Sequence, residues 1–226
     1  MTDNEKNMSE QESLQLIADM IQKAKGSFHD SGTSAILWGS VIGLAGLISF
    51  VQSYFKFSIG FDIWWLIFAA IIPQVIISIN ETRQRKVTGH DTTMVNAIWT
   101  VYGISVFALL FYVNVVPGVS DAFFANEGKE LTIKNLQTGT VENFKLFIPG
   151  QVSLYLILFA IPTLATGIGR KFKPMLLGGI ACYIFFVVSC YTAITWDTLL
   201  MSLAGIFNWL IPGLILRNRY LKGKGC

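Results

Sequence analysis

The only two histidines of this 226-residue chain occur in matching dipeptides, His29-Asp30 and His90-Asp91. Two imidazoles and two carboxylates would complete a four-ligand site for Zn²⁺ or Fe²⁺ if the segments met. The simpler expectation is structural. An Asp followed by Ser or Thr before an apolar run caps a helix N-terminus, and adjacent residues on a regular backbone point in different directions. No cofactor is therefore expected, and a metal at His29, Asp30, His90 and Asp91 is the lesser alternative. Other catalytic signatures are missing: there is no HExxH, GxSxG, P-loop, GxGxxG or CxxC. Cys182 and Cys190 are eight positions apart on one predicted helix. That is about 12 Å along its axis, beyond disulfide reach. The residue types predict a protein that is not an enzyme.

The remaining polar chemistry lies inside apolar runs. Pro73, Pro162 and Pro212 each fall within a predicted helix, where a proline removes one backbone hydrogen bond and frees the carbonyl four residues earlier. For Pro212 that carbonyl belongs to Asn208, the most polar side chain deep in any run. Two readings follow: a packing kink with Asn208 bonded to a neighbouring helix, or a hinge or polar pocket facing a solute. Gly39 and Gly43, with Ala35, form a small-residue ridge at four-residue spacing. Such a ridge lets another helix approach closely, within the chain or across a homodimer seam.

The elements that carry these residues are hydrophobic. The chain is 53% hydrophobic and 14% charged, with mean hydropathy +0.54, where a soluble domain runs near about 25% charged. Six uncharged apolar segments, at about 35–51, 63–79, 97–116, 152–168, 175–194 and 199–216, are long enough to cross a bilayer as helices. The expected fold is an all-α integral membrane protein: a six-helix transmembrane bundle over 34–216, preceded by a polar segment 1–33 and followed by a basic tail 217–226. Thirteen of the 17 basic residues, including all five Arg, fall on one side of this pattern. By the positive-inside rule both termini are cytoplasmic. The net charge of +3 is then a topology signal, and no basic patch with interleaved aromatics suggests nucleic acid. The polar first 33 residues are unlike a cleaved signal peptide.

A shift of 139 residues lays the last two segments on the first two, Gly39 falling on Gly178 and Ile72-Pro73 on Ile211-Pro212. A shift of 61 lays His29-Asp30 on His90-Asp91. Three hairpins in parallel repeat are expected, each with a proline in its returning helix, the second carrying an extracytoplasmic loop at 117–147. Within that loop Thr138-Gly139 is flanked by strand-like stretches, which predicts a short hairpin. Before the first span, Ser9-x-x-Glu12 is a capping box, and Leu14, Ile17, Ile21 and Phe28 line one face of an amphipathic helix. Its polar face is poor in Lys and Arg, so docking against the protein's own cytoplasmic side, or against a partner helix, is favoured over lying on lipid.

The stretch Ser13-Leu14-Gln15-Leu16-Ile17, with Met20-Ile21, Ala24-Lys25, Phe28, Gly32 and Leu37-Trp38-Gly39, resembles a group of uncharacterised bacterial multi-pass membrane proteins. The resemblance implies a bacterial inner membrane and carries no activity or site with it. The expected function is non-enzymatic: a membrane protein that engages a partner or a second copy through its cytoplasmic N-terminal helix. The alternative is a transporter or channel for a small uncharged solute or lipid, and a membrane enzyme at the His-Asp pairs is the third.

Overall fold

The computed structural model describes residues 14–15, 31–84, 90–144 and 150–223, with the side chains of 84, 90–92 and 223 left aside. Its helices are α1 (Thr33–Phe55), α2 (Trp65–Gln84), α3 (His90–Asn126), α4 (Gln151–Gly169), α5 (Lys173–Ser189), α6 (Ile194–Gly205) and α7 (Ile211–Gly223). A π-helical turn, Ile206–Leu210, joins α6 to α7, so these three pieces run on as one rod. Apart from a small ribbon of β1 (Thr132–Lys134) and β2 (Val141–Asn143), the regular structure among the described residues is helical. Five of the rods are long and apolar enough to cross a membrane, and α5 is an apolar helix of 17 residues.

Local chemistry sets the ends of these rods. In α3 the chain does not stop at Pro117, where a loop was expected, but stays helical to Asn126. The stop comes at Gly128, whose φ of 70° lets Lys129 N–H close back on the Phe124 carbonyl at 2.8 Å. An interior proline costs one hydrogen bond and need not end a helix; a glycine in the left-handed conformation does. The same closure ends α1 and α4, but with lysines in the glycine position: Lys56 at φ 55° and Lys171 at φ 51°. There Phe57 N–H reaches Gln52 O at 3.1 Å and Phe172 N–H reaches Gly167 O at 2.9 Å. The ribbon pairs antiparallel, Ile133 opposite Glu142, around an Asn135 side chain that accepts from Gln137 N–H and Thr138 N–H. Both strands are exposed.

The α6–π–α7 rod is the axis of the packing. Along one side lies α1, antiparallel, with Gly32, Gly39, Gly43 and Gly46 against Gly213, Leu210, Ile206 and Ser202. On other sides lie α4 and α5, themselves packed antiparallel through Gly167 against Leu176 and Gly179 against Leu164. Ile42, Leu156, Phe159, Cys182, Met201 and Trp209 form the buried core. Among the described residues, α2 packs on α1, and α3 packs on α4 and reaches the π turn through Trp99 and Tyr102, while α2 and α3 do not touch each other. The consecutive pairs α1–α2, α3–α4 and α5–α6 thus all pack as hairpins, but the middle of the bundle belongs to four rods. The outer faces of α2 and α3 are apolar and open, with Ile72 at 68% and Phe111 at 69% exposure.

Candidate functional site

The π turn is where the polar groups of the core gather. Pro212 has no N–H to give, and Ile211 N–H reaches back five residues to the Ile206 carbonyl. The widened turn carries Asn208 and Trp209 inward, both buried. Asn208 Nδ2 donates to the Phe159 carbonyl of α4 at 2.9 Å. Thr163 Oγ1 donates to the same carbonyl at 3.1 Å and accepts from Trp209 Nε1 at 3.1 Å. From α3, Trp99 Nε1 donates to Thr166 Oγ1 at 3.1 Å, and the Trp99 and Tyr102 rings close over Trp209. Pro162 lies between the Phe159 carbonyl and Thr163, so two proline-bearing helices meet through one amide. Asn208 Oδ1 has no hydrogen-bond partner although the residue is fully buried. In an apolar interior that orphan acceptor costs about 1–3 kcal/mol.

Glycine makes this crossing possible. A Cβ on Gly39 would collide with the Leu210 backbone, and one on Gly178 would stand 2.5 Å from the Phe207 carbonyl. These are the two glycines that the 139-residue shift superposes, and they close on the same turn from α1 and α5. Gly43 lies beside the Ile206 side chain, and its carbonyl accepts from Ser202 Oγ at 2.6 Å. Pro162, Asn208 and Pro212 are therefore brought together, with Gly39 and Gly43 alongside. Pro73 is elsewhere, half-buried in α2 next to Gln74. That amide accepts from Trp38 Nε1 at 3.0 Å and donates to Ser34 Oγ at 3.1 Å, tying α2 to α1.

The arrangement holds no acid, base or activated nucleophile. The buried Cys182 thiol donates to the Leu156 carbonyl at 3.3 Å. What the centre offers is a bonded seam between helices with one acceptor to spare.

One buried ionisable group escaped the sequence reading. Asp197 falls in the short gap between the apolar segments 175–194 and 199–216. In the structure α6 begins at Ile194, and Asp197 sits in its first turn at 3% exposure, accepting from Thr192 Oγ1. A carboxylate near a helix N-terminus suits the dipole, and this is the only signal that could have marked it. Ser153 and Ser189 share a hydrogen bond of 2.7 Å between α4 and α5.

Contacts at the opposite end gather charge. Ser31 Oγ donates to Glu81, joining the start of α1 to the end of α2. Gly32 packs on Gly213 and Arg217 of α7. Phe172, in the α4–α5 connection, packs with Met175 and Leu216, and the Arg219 guanidinium lies 5.4 Å from its ring centre. Arg83, Arg170, Lys171, Lys173, Arg217, Arg219 and Lys222 consequently share one end of the bundle. Lys56, Lys129 and Lys134 lie on connections at the other.

Of the predicted partner-facing residues, only Leu14 is described; it is helical and 66% exposed. Ile17, Ile21, Phe28, His29 and Asp30 lie outside the described residues. His90 opens α3 with Asp91 next to it, and their side chains lie outside the description as well. Comparison with protein-family models, curated proteins and solved structures finds no match to this chain.

Proposed function

We propose that this chain is a non-enzymatic, six-span protein of the bacterial inner membrane, with both termini cytoplasmic. It acts by engaging a partner, or a second copy of itself, through its N-terminal helix and the basic end beside it. The observation that carries the reading is the segregation of charge along the bundle axis, seven cations at one end against three at the other among the described residues. Open apolar faces on α2 and α3 support a lipid surround, since water would not tolerate them. Trp65, Tyr191 and Trp196, exposed at the end away from the cations, suit an interfacial belt. At 17 residues, or about 26 Å, α5 is near the lower limit for a span.

The partner reading is supported by where the N-terminal segment joins. Ser31 and Gly32 are bonded and packed at the basic end, so the chain enters the bundle there, beside α2 and α7. The spans themselves are chemically plain. A transporter of a small uncharged solute or lipid is the second reading, favoured by the orphan acceptor of Asn208 between Pro162 and Pro212.

Two measurements test the proposal. With Cys190 and Cys226 replaced by Ser, a Lys134→Cys variant in intact cells is expected to react with a membrane-impermeant maleimide added outside. Reaction only after access to the cytoplasm would invert the orientation. Tagged full-length protein in mild detergent is expected to retain a stoichiometric partner or second copy that a variant lacking residues 1–26 loses, read by mass spectrometry. If both versions are alone and monodisperse, the N-terminal helix is structural and the partner reading fails.

A further inference from the structure

We infer that the seam of α5 and α7 at the basic end is a binding site for an anionic phospholipid. Its phosphate would be held by Lys171, Lys173 and Arg219, and its acyl chains would lie along the two helices below. The inference rests on the membrane reading and adds a ligand to it.

The head-group part of the site is an excess of positive charge: among the described residues seven cations share this end with one carboxylate, Glu81 of α2, which accepts from Ser31. From residue 143 to the end of the chain the only acidic residue is Asp197, which sits at the opposite end and accepts from Thr192. Packing of Phe172 on Leu216 and of Arg219 over the Phe172 ring draws the α4–α5 connection onto α7. Lys171, Lys173 and Arg219, all exposed, are thereby gathered around a single aromatic contact. Basic clusters of this kind between helices on the cytoplasmic side attract anionic lipid head groups.

The backbone at Lys171 adds an independent observation. Its φ of 51° is a left-handed conformation that glycine takes at no cost and that a residue with a side chain takes only at a cost; Lys56 closes α1 in the same way at the other end. The closure of α4 would be satisfied better by glycine, yet a cation stands there.

The acyl-chain part is the surface directly below. Lys173, Leu177, Ile180 and Ile184 recur along one exposed face of α5, and Leu177 is 66% exposed. Beside it run the exposed Phe207, Ile211 and Leu214 of the central rod. Gly178, packed on the Phe207–Asn208 backbone, and the Phe185–Phe207 ring pair at 6.3 Å keep these two stripes adjacent. Cations above a paired apolar stripe match a phosphate above two chains.

The test uses full-length protein in mild detergent, titrated with phosphatidylglycerol or phosphatidylcholine and read by native mass spectrometry. Phosphatidylglycerol is expected to be retained and phosphatidylcholine lost at equal concentration. Lys171→Gly is expected to fold as well as the parent or better, and to weaken phosphatidylglycerol binding about fivefold, as removal of one cation near a lipid surface should. Adding Lys173→Gln and Arg219→Gln is expected to weaken it at least about tenfold. Equal retention of the two lipids, or unchanged binding in both variants, overturns the site. Competition by millimolar inorganic phosphate as effective as that by phosphatidylglycerol would make it a site for soluble phosphate and overturn the lipid assignment. Fractionation of the same cells separates the two levels. A chain recovered from the membrane that shows no lipid preference loses this inference alone, whereas a chain recovered from the soluble fraction loses the membrane reading too.

Discussion

Gly39→Ala and Gly178→Ala are each expected to destabilise the purified protein by about 1–3 kcal/mol, the usual range for forcing one extra carbon into a packed interior. The effect comes from backbone rather than from flexible side chains. A Cβ at 39 meets the Leu210 amide, and a Cβ at 178 meets the Phe207 carbonyl and Asn208 Cα. Neither neighbour can turn aside without moving the π turn. Gly103→Ala and Gly118→Ala in α3 are the controls, because a Cβ there meets nothing within 4 Å. They are expected to be neutral or to stabilise by up to about 1 kcal/mol, as alanine replaces glycine in a helix. Thermal unfolding of the four variants in the same detergent makes the comparison. If all four shift alike, the glycines matter only through helix propensity, and the close crossing of α1, α5 and the π turn is not what holds the bundle.

Asn208→Asp should be the most damaging single substitution at the centre, and Asn208→Leu should be mild. The amide gives one hydrogen bond to Phe159 O and leaves one acceptor unsatisfied. Leucine loses the bond but also removes the orphan acceptor, and the Phe159 carbonyl keeps the Thr163 hydroxyl as donor. These terms offset to within about 1 kcal/mol. An aspartate at this fully buried position must either hold an uncompensated charge or take up a proton at pH 7, and either costs about 3–5 kcal/mol. Denaturant or thermal unfolding of both variants at pH 7 ranks them. Should leucine prove as harmful as aspartate, the amide would be doing more than bonding to Phe159, and the acceptor would have a ligand to hold. That outcome would favour the second, solute-handling reading.

Much of the architecture is legible in the sequence, for a simple reason. Uncharged apolar runs of about 20 residues have few ways to satisfy their backbone other than as helices, so Ala35–Val51 or Val152–Ile168 could be read directly. The same logic reads the asymmetry of Arg and Lys between connections, because it depends only on chain order. Helix ends were less legible. Pro117 looks like a stop and is not, whereas Gly128 is one, since ending a helix takes a left-handed residue and a closing bond rather than one missing donor. The burial of Asp197 is not legible either, because sequence says nothing about how much of a connection its neighbours will cover.

By itself, then, the sequence determined which segments are apolar rods, how they alternate in direction, where proline and glycine interrupt them, and which connections are basic. Tertiary structure alone decided what those interruptions meet. Gly39 and Gly178, 139 residues apart, close on one π turn; Pro162 and Pro212 meet through Asn208 while Pro73 stays on the outside; α2 and α3 are left at the rim. Periodicity tells which face of a helix is small or polar, but every apolar rod offers its neighbours much the same hydrophobic gain. Partners are chosen by the short-range fit of backbone against backbone and donor against acceptor, and that fit exists only once the rods are side by side.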